Sequence, residues 1–216
     1  MIIAVDGPAA SGKGTLAAGL ARHYGLPHLD TGLLYRAVGL AVAGLDGTGQ
    51  FEAAAIAAAR SVDPSALDAE ALSTSEAGQL ASKVAVIGEV RSALFDFQRA
   101  FATQPGGAVL DGRDIGTNIA PDAEVKLFIK ADSKARMERR ARQFELKGLP
   151  VDRYALYHQI EQRDARDMAN PNGGFYPAAD AHLLDTTLLD IEAALRAAVA
   201  IVDGVMAEKS RSAKLV

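Results

Sequence analysis

The sequence predicts an α/β protein in which a parallel sheet is flanked by helices. Two features point there. Short apolar runs alternate with stretches of helical periodicity along the chain, the pattern of repeated strand–helix–strand units. Polar residues suited to chemistry gather where the apolar runs end, which in such a sheet is the carboxyl edge. At 216 residues the chain suits a single domain, 1–216, carrying small insertions.

Met1 to Val5 is an apolar run stopped by Asp6-Gly7-Pro8 and reads as a strand buried on both faces. Leu16, Leu20 and Tyr24 recur at helical spacing after Lys13, and Gly25 with Pro27 ends that helix. His28-Leu29-Asp30 is a second short strand. Leu33 to Ala43 is helical and runs into a Gly/Asp/Thr-rich stretch, 44–49. From about Phe51 to Leu80 the chain is Ala-rich and acidic with a break at Asp63-Pro64-Ser65, which predicts a small, mostly helical insertion. Val84 to Phe101 is helical. After Pro105-Gly106-Gly107, Ala108-Val109-Leu110 forms a strand ending at Asp111-Gly112-Arg113-Asp114. Val125 to Ile129 is a strand, Ser133 to Phe144 a very basic helix, and 146–151, with Gly148 and Pro150, a mobile loop. Tyr154 to Met168 is helical, 170–177 a loop, and His182 to Leu184 the last strand. Ile191 to Met206 packs as the terminal helix, with 208–216 frayed.

With 49% hydrophobic and 23% charged residues the chain has the balance of a globular protein with a core. Its net charge of −4 argues against nucleic acid or an anionic membrane as partner, so an anionic ligand must be held by local cations and backbone amides. The absence of cysteine excludes disulfides, thiolate metal sites and a Cys nucleophile. The histidines, His23, His28, His158 and His182, have no metal-ligand spacing. No apolar run reaches membrane-spanning length, and Met1 to Asp6 lacks the pattern of a secretory leader. A cytoplasmic monomer acting on small molecules is expected.

The strongest motif is Gly7-Pro8-Ala9-Ala10-Ser11-Gly12-Lys13-Gly14-Thr15, between the first strand and the first helix. A loop that wraps an anion with its own N–H groups needs glycines for clearance, and the helix that follows aims its positive end at the phosphates. Lys13 suits the β- and γ-phosphates of a nucleoside triphosphate, ATP being the expected co-substrate, and Thr15 suits Mg²⁺, directly or through water. The Gly-Lys-Gly-Thr form, with Thr one place later than usual, resembles nucleoside-monophosphate kinases more than GTPases or motor ATPases. No guanine-reading Asn/Thr-Lys-x-Asp segment occurs.

Further candidates lie at the other strand ends. In Asp30-Thr31-Gly32-Leu33-Leu34-Tyr35-Arg36, Thr31 is either a helix N-cap or a ligand contact, and Tyr35 and Arg36 project near one another. Arg113 suits bidentate phosphate binding, and Asp114 suits accepting hydrogen bonds from a base or ribose. Arg136, Arg139, Arg140 and Arg142 crowd one helix; some of them must face solvent, and the repulsion between Arg136 and Arg140 makes sense if a bound triphosphate relieves it. Arg163, Arg166 and Asp167 fit either a solvated, salt-bridged face or a lid closing on ATP.

Taken in order, these segments resemble bacterial cytidylate kinases over nearly the whole chain. The matching pieces are the loop from Asp6 to Thr15, Asp30 to Arg36, Val90-Arg91 before Gln98-Arg99-Ala100-Phe101, Asp111 to Asp114, Arg163 to Asp167, and Asp185-Thr186-Thr187. The resemblance implies a P-loop nucleoside-monophosphate kinase fold. An inserted acceptor-binding region would span about 37–83, and a short lid would be formed by about 144–153 with 167–176. It implies transfer of a phosphoryl group from ATP to CMP or dCMP, with kinases of UMP, AMP or shikimate as the nearest alternatives. Arg36 and Arg113 would then hold the acceptor phosphate, with Thr31 and Tyr35 beside them. Ser82, Arg91 and Asp114 would read cytosine, Asp167 the ribose with Arg163 nearby, and Lys13, Arg113 and Arg166 would act on the transferring group. Two departures stand out: Asn170 occupies the place of a loop arginine, and the insertion is short, with 63–80 replacing a strand-like stretch.

Overall fold

The computed structural model describes residues 1–171 and 175–213. Among them the sheet has five strands: β1 (Ile2–Asp6), β2 (His28–Asp30), β3 (Ala108–Gly112), β4 (Val125–Lys130) and β5 (His182–Asp185). All pairings are parallel, in the order β2-β3-β1-β4-β5. β1 is central and apolar on both faces, as a doubly covered strand must be. Ile3 and Val5 face one side, against helices α1 (Lys13–Tyr24) and α8 (Ile191–Ala213), whose Leu16, Leu20, Ala198 and Val202 complete the main core. Ala4 faces the other side with Leu110, Ile115, Ile119 and Ala102, the last from helix α5 (Gly88–Ala102). This alternation follows from the two-residue period of a strand.

Beside the sheet, α2 (Thr31–Ala41), α3 (Phe51–Ser61), α4 (Ser75–Val84) and α5 share a second core built on Leu34, Val38, Ala55, Val84, Val90 and Leu94. Gly39 brings α2 and α4 together: a Cβ there would lie 2.8 Å from Leu80 Cβ. A hairpin of α6 (Ser133–Leu146) and α7 (Arg153–Met168) closes on Met137, Ala141, Leu156 and Ile160. Side-chain caps start four of these helices: Asp30 for α2, Thr74 for α4, Asp132 for α6 and Asp152 for α7. Gly25, at φ +65°, ends α1.

Several boundaries differ from the sequence reading. The helix expected over 84–101 begins four residues late, because Val84 closes α4 and a break intervenes before Gly88. The third strand continues through Asp111 and Gly112, carried by pairing with β1 and β2 on either side. Ile115–Ile119 forms a π-helical turn, for which no pattern was read. The end of α8 reaches Ala213 where fraying was expected from 208. Thr31 is not the cap of α2: Asp30 caps it, accepting from the Gly32 N–H at 2.9 Å, and Thr31 is the first helical residue.

Candidate active site

The phosphate loop joins β1 to α1 at the carboxyl edge of the sheet. Gly7 has φ +149°, and a Cβ there would meet the Ile129 carbonyl oxygen at 2.3 Å, so no other residue fits. Ala10 and Gly12 also have positive φ, 58° and 89°. The loop is gripped from behind. Arg136 Nη1 donates to Ala9 O at 3.0 Å, and Arg139 Nη1 and Thr186 Oγ1 donate to Ser11 O at 3.1 and 3.0 Å. In a trans peptide the next N–H points opposite its carbonyl, so the amides of Ala10 and Gly12 face away from those arginines.

This overturns the reading of the basic helix. Arg136 is buried, pairs with Asp164 and also donates to Ala131 O, while Arg139 reaches the Thr186 carbonyl and hydroxyl. Their charge is absorbed by protein oxygens and does not wait for a triphosphate. Arg142 is exposed. Arg140 alone of the four lines the cleft described next.

Lys13 leaves the start of α1 with Nζ 4.0 Å from Asp111 Oδ2. Burial, followed by repulsion from Arg113, pulls its pKa down to about 8, against the attraction of Asp111 and Asp30. Asp111 is buried and also contacts His28 Nε2 at 2.8 Å, while its backbone carbonyl accepts from Thr31 Oγ1 at 2.9 Å. Burial first, then Asp111, raises the pKa of the Asp30 carboxyl. These two carboxylates are the site groups that the motifs alone did not single out, although Asp30 ends β2 and Asp111 is the next-to-last residue of β3. Among the described residues no three His, Cys, Asp or Glu side chains form a metal cage. One or two carboxylates and a hydroxyl suit Mg²⁺, which keeps most of its waters and takes phosphate oxygens. Thr15 is exposed near the start of α1.

A cleft opens between this loop, α2, α4 and α7. On its floor Arg113 Nε donates to Asp167 Oδ2 at 3.0 Å, and Arg163 Nε lies 3.7 Å from the same oxygen. Ser82 Oγ donates to Asp167 Oδ1 at 2.6 Å. Burial alone would raise Asp167, but Arg113 and Arg163 hold its pKa below the usual carboxylate value. Burial, with Arg113 next, lowers Arg163 to about 9. Arg36 reaches across to the carbonyls of Leu72 at 2.8 Å and Thr74 at 3.3 Å. Gly78 of α4 leaves room for both guanidiniums: a Cβ there would be 3.0 Å from Arg163 Nη1 and 3.6 Å from Arg36 Nη2.

At one end of the cleft Arg91 pairs with Asp114 and lies 5.9 Å over the Tyr35 ring, and Asn118 Nδ2 donates to Asp114 Oδ2 at 3.2 Å. Burial raises the Asp114 pKa, opposed by Arg91. Asn170 lines the same end and donates to Ala85 O at 3.0 Å. Of the sequence candidates for the acceptor side, Asp114 and Arg166 are not among the residues lining the cleft: Asp114 lies behind Arg91, its partner, and the Arg166 Nε is buried with no hydrogen bond. Behind the site, Asp6 accepts the N–H groups of Ile115 and Gly116, both at 2.8 Å, and burial raises its pKa to about 7. The cleft therefore presents Lys13, Arg36, Arg113, Arg140 and Arg163 to fewer carboxylates. Such an excess of cation is suited to phosphate dianions.

A family model described as cytidylate kinase matches residues 3–203. The cytidylate kinase of Xanthobacter autotrophicus is 56% identical over 203 residues, covering 94% of this chain and 97% of that protein. That of Rhodopseudomonas palustris (strain BisA53) is 51% identical over 211 residues, covering 98% and 100%. Among solved structures, an uncharacterized protein from Eubacterium ventriosum aligns with a TM-score of 0.56 at 18% identity, covering 94% of this chain and 98% of that one, a likeness of fold alone. Among the described residues no helix is long and apolar enough to cross a membrane. With a family model spanning nearly the whole sequence and relatives more than half identical from end to end, this chain belongs to the cytidylate kinase family.

Proposed function

We propose that the protein transfers the γ-phosphoryl group of ATP to CMP and dCMP, giving ADP with CDP or dCDP. The observation that carries this reading is the convergence of Lys13, Arg36, Arg113 and Arg163 on one cleft, which Arg91, the partner of Asp114, also lines. The cations suit two phosphate groups brought face to face, and the pair suits a base edge.

The loop amides and Lys13 would hold the β- and γ-phosphates, while Arg36 and Arg113 would hold the acceptor phosphate in line. That phosphate oxygen is already anionic, so the reaction needs positioning and charge neutralisation more than a strong base. Mg²⁺, if bound there, would supply positive charge to offset that of the phosphates. Thr15 would hold it, with Asp30 and Asp111 near enough to Lys13 to contribute through water. Asp114 would accept from the cytosine amino group beside Arg91 and Ser82, and Asp167 would take the ribose. The cluster of Ser82, Arg91 and Asp114 would go unused with shikimate, which favours a nucleotide acceptor.

The region 37–83 would bind the acceptor and the loops 144–153 and 167–176 would serve as a lid; residues 172–174 of the second loop lie outside the described residues. Arg166 would join the transferring group on closure. The test is a coupled ADP-release assay offering CMP, dCMP, UMP, AMP and shikimate with ATP and Mg²⁺. Turnover of CMP and dCMP above the others is expected, and preference for AMP or shikimate would contradict the reading.

A further inference from the structure

Arg113 carries a difficulty of its own. It shares the cleft with Lys13 and Arg163, whose pKa values it helps to depress, and shares with Arg163 the single carboxylate of Asp167. A guanidinium among like charges must be restrained to present a fixed fork. A second carboxylate would restrain it, but would also repel the phosphate it is there to bind.

An aromatic face solves this, because its quadrupole attracts the cation without neutralising it. Arg113 Cζ lies 5.9 Å from the ring centroid of Phe175, a buried residue on the chain's return from α7 toward β5. The ring is itself fixed. It stacks on Phe128 of β4 with centroids 6.3 Å apart and planes 18° from parallel, and Phe128 pairs in register with Asp6 at the root of the phosphate loop. The next residue, Tyr176, donates from its hydroxyl to Met168 O at 3.0 Å, tying the segment to the end of α7 one residue after Asp167. One short stretch thus supplies both the carboxylate and the ring.

We propose that Phe175 is a positioning residue for the acceptor phosphate: with Asp167 it clamps the Arg113 guanidinium between a carboxylate and an aromatic face. The inference rests on the acceptor role of Arg113 proposed above. Phe128 and Phe175 then relate the lid-like segment after α7 to the donor loop through the sheet.

The test compares Phe175→Leu, which keeps apolar bulk and loses the ring, with Phe175→Tyr, which keeps the ring. Phe175→Leu should raise the KM for CMP about 5- to 30-fold, the range of a desolvated cation–π contact, with the KM for ATP within about twofold of wild type. Phe175→Tyr should restore the wild-type value. In an Arg113→Met background, which keeps the chain length and loses the charge, the same Leu substitution should change the KM for CMP less than about twofold, since the cation–π contact it removes is already gone. A folded Phe175→Leu protein with unchanged KM for CMP, an equal rise in the KM for ATP, or a full effect persisting in the Arg113→Met background would each overturn the proposal. If the Leu variant does not fold, Phe175→Met carries the same test with the same outcomes. Titration with inorganic phosphate, the donor loop filled beforehand with ADP, needs no turnover. Wild-type protein inactive on CMP contradicts the acceptor reading, whereas phosphate affinity unchanged by loss of the ring contradicts the clamp.

Discussion

Gly39→Ala adds one methyl group where α2 and α4 nearly touch. The new Cβ would stand 2.8 Å from Leu80 Cβ, 2.9 Å from the Leu80 carbonyl carbon and 3.0 Å from the Ala81 nitrogen. Two of these atoms are backbone, so the strain cannot be relieved by swinging a side chain. Reaching the 3.4 Å of ordinary contact parts the helices by about 0.6 Å. Overpacking of this kind costs about 1–3 kcal/mol, offset by about 1 kcal/mol of helix propensity gained over glycine. The net loss of about 0–2 kcal/mol lowers the Tm by up to about 8 °C, since each kcal/mol is worth about 2–4 °C at this size. The functional effect should be larger. α2 carries Tyr35 and Arg36, α4 carries Gly78 and Ser82, and all four line the cleft. A misplacement near 1 Å can cost about 10²-fold in rate, so kcat/KM for CMP should fall about 10- to 100-fold with the KM for ATP little changed. Gly204→Ala in α8 is the control, because its Cβ would meet nothing within 4 Å and should stabilise the protein by about 1 kcal/mol. Steady-state kinetics and thermal unfolding of both variants decide the matter. Gly39→Ala with wild-type CMP kinetics and a gain in stability matching Gly204→Ala would show that the α2–α4 contact does not position the cleft.

Lys13→Ala should lower kcat by roughly 10³-fold, as loss of a cation on the transferring group implies, and near-normal turnover in a folded mutant would remove the loop from the mechanism. Lys13, with its pKa near 8 in the free protein, carries charge below that pH and loses it above, so kcat/KM for ATP should decline above about pH 8. Bound phosphate favours the charged form, so kcat should hold to higher pH. Asp6 has a folded pKa raised to about 7, above its unfolded value, so its contribution to stability is present in full below about pH 4 and is lost as the pH rises through 7. Urea titrations of wild type and Asp6→Asn across that window should show the wild type losing stability relative to the variant by up to about 1.4 kcal/mol per pH unit. Parallel profiles would contradict the shift.

The parts legible in the sequence are those written in neighbouring residues. The phosphate loop is nine consecutive positions between a strand and a helix, and Tyr35 with Arg36 follows a strand end by one helical turn. The order of apolar runs likewise announced a parallel sheet, and the five described strands obey it. What was not legible depends on residues far apart in the chain. Arg136 and Arg139 read as cations awaiting an anion, yet they reach carbonyls 127 and 128 residues away. Asp6 bonds to amides 109 and 110 residues on, and Phe175 meets Arg113 across a stretch no periodicity spans. A charged or aromatic side chain announces its chemistry but not its partner, and the fold alone supplies that.

In the proposed reaction the cleft receives a cytidine nucleotide, and Asp114 would accept from the base amino group. A uracil carbonyl would face that carboxylate oxygen to oxygen in place of a donor, a mismatch worth about 2–4 kcal/mol. The most direct test is the ratio of kcat/KM for CMP to that for UMP, taken side by side in wild type and Asp114→Asn. A wild-type ratio of roughly 10² is expected, shrinking in the mutant mainly through a slower CMP reaction. A wild-type ratio near one, or a large ratio that Asp114→Asn leaves intact in a folded enzyme, would contradict it.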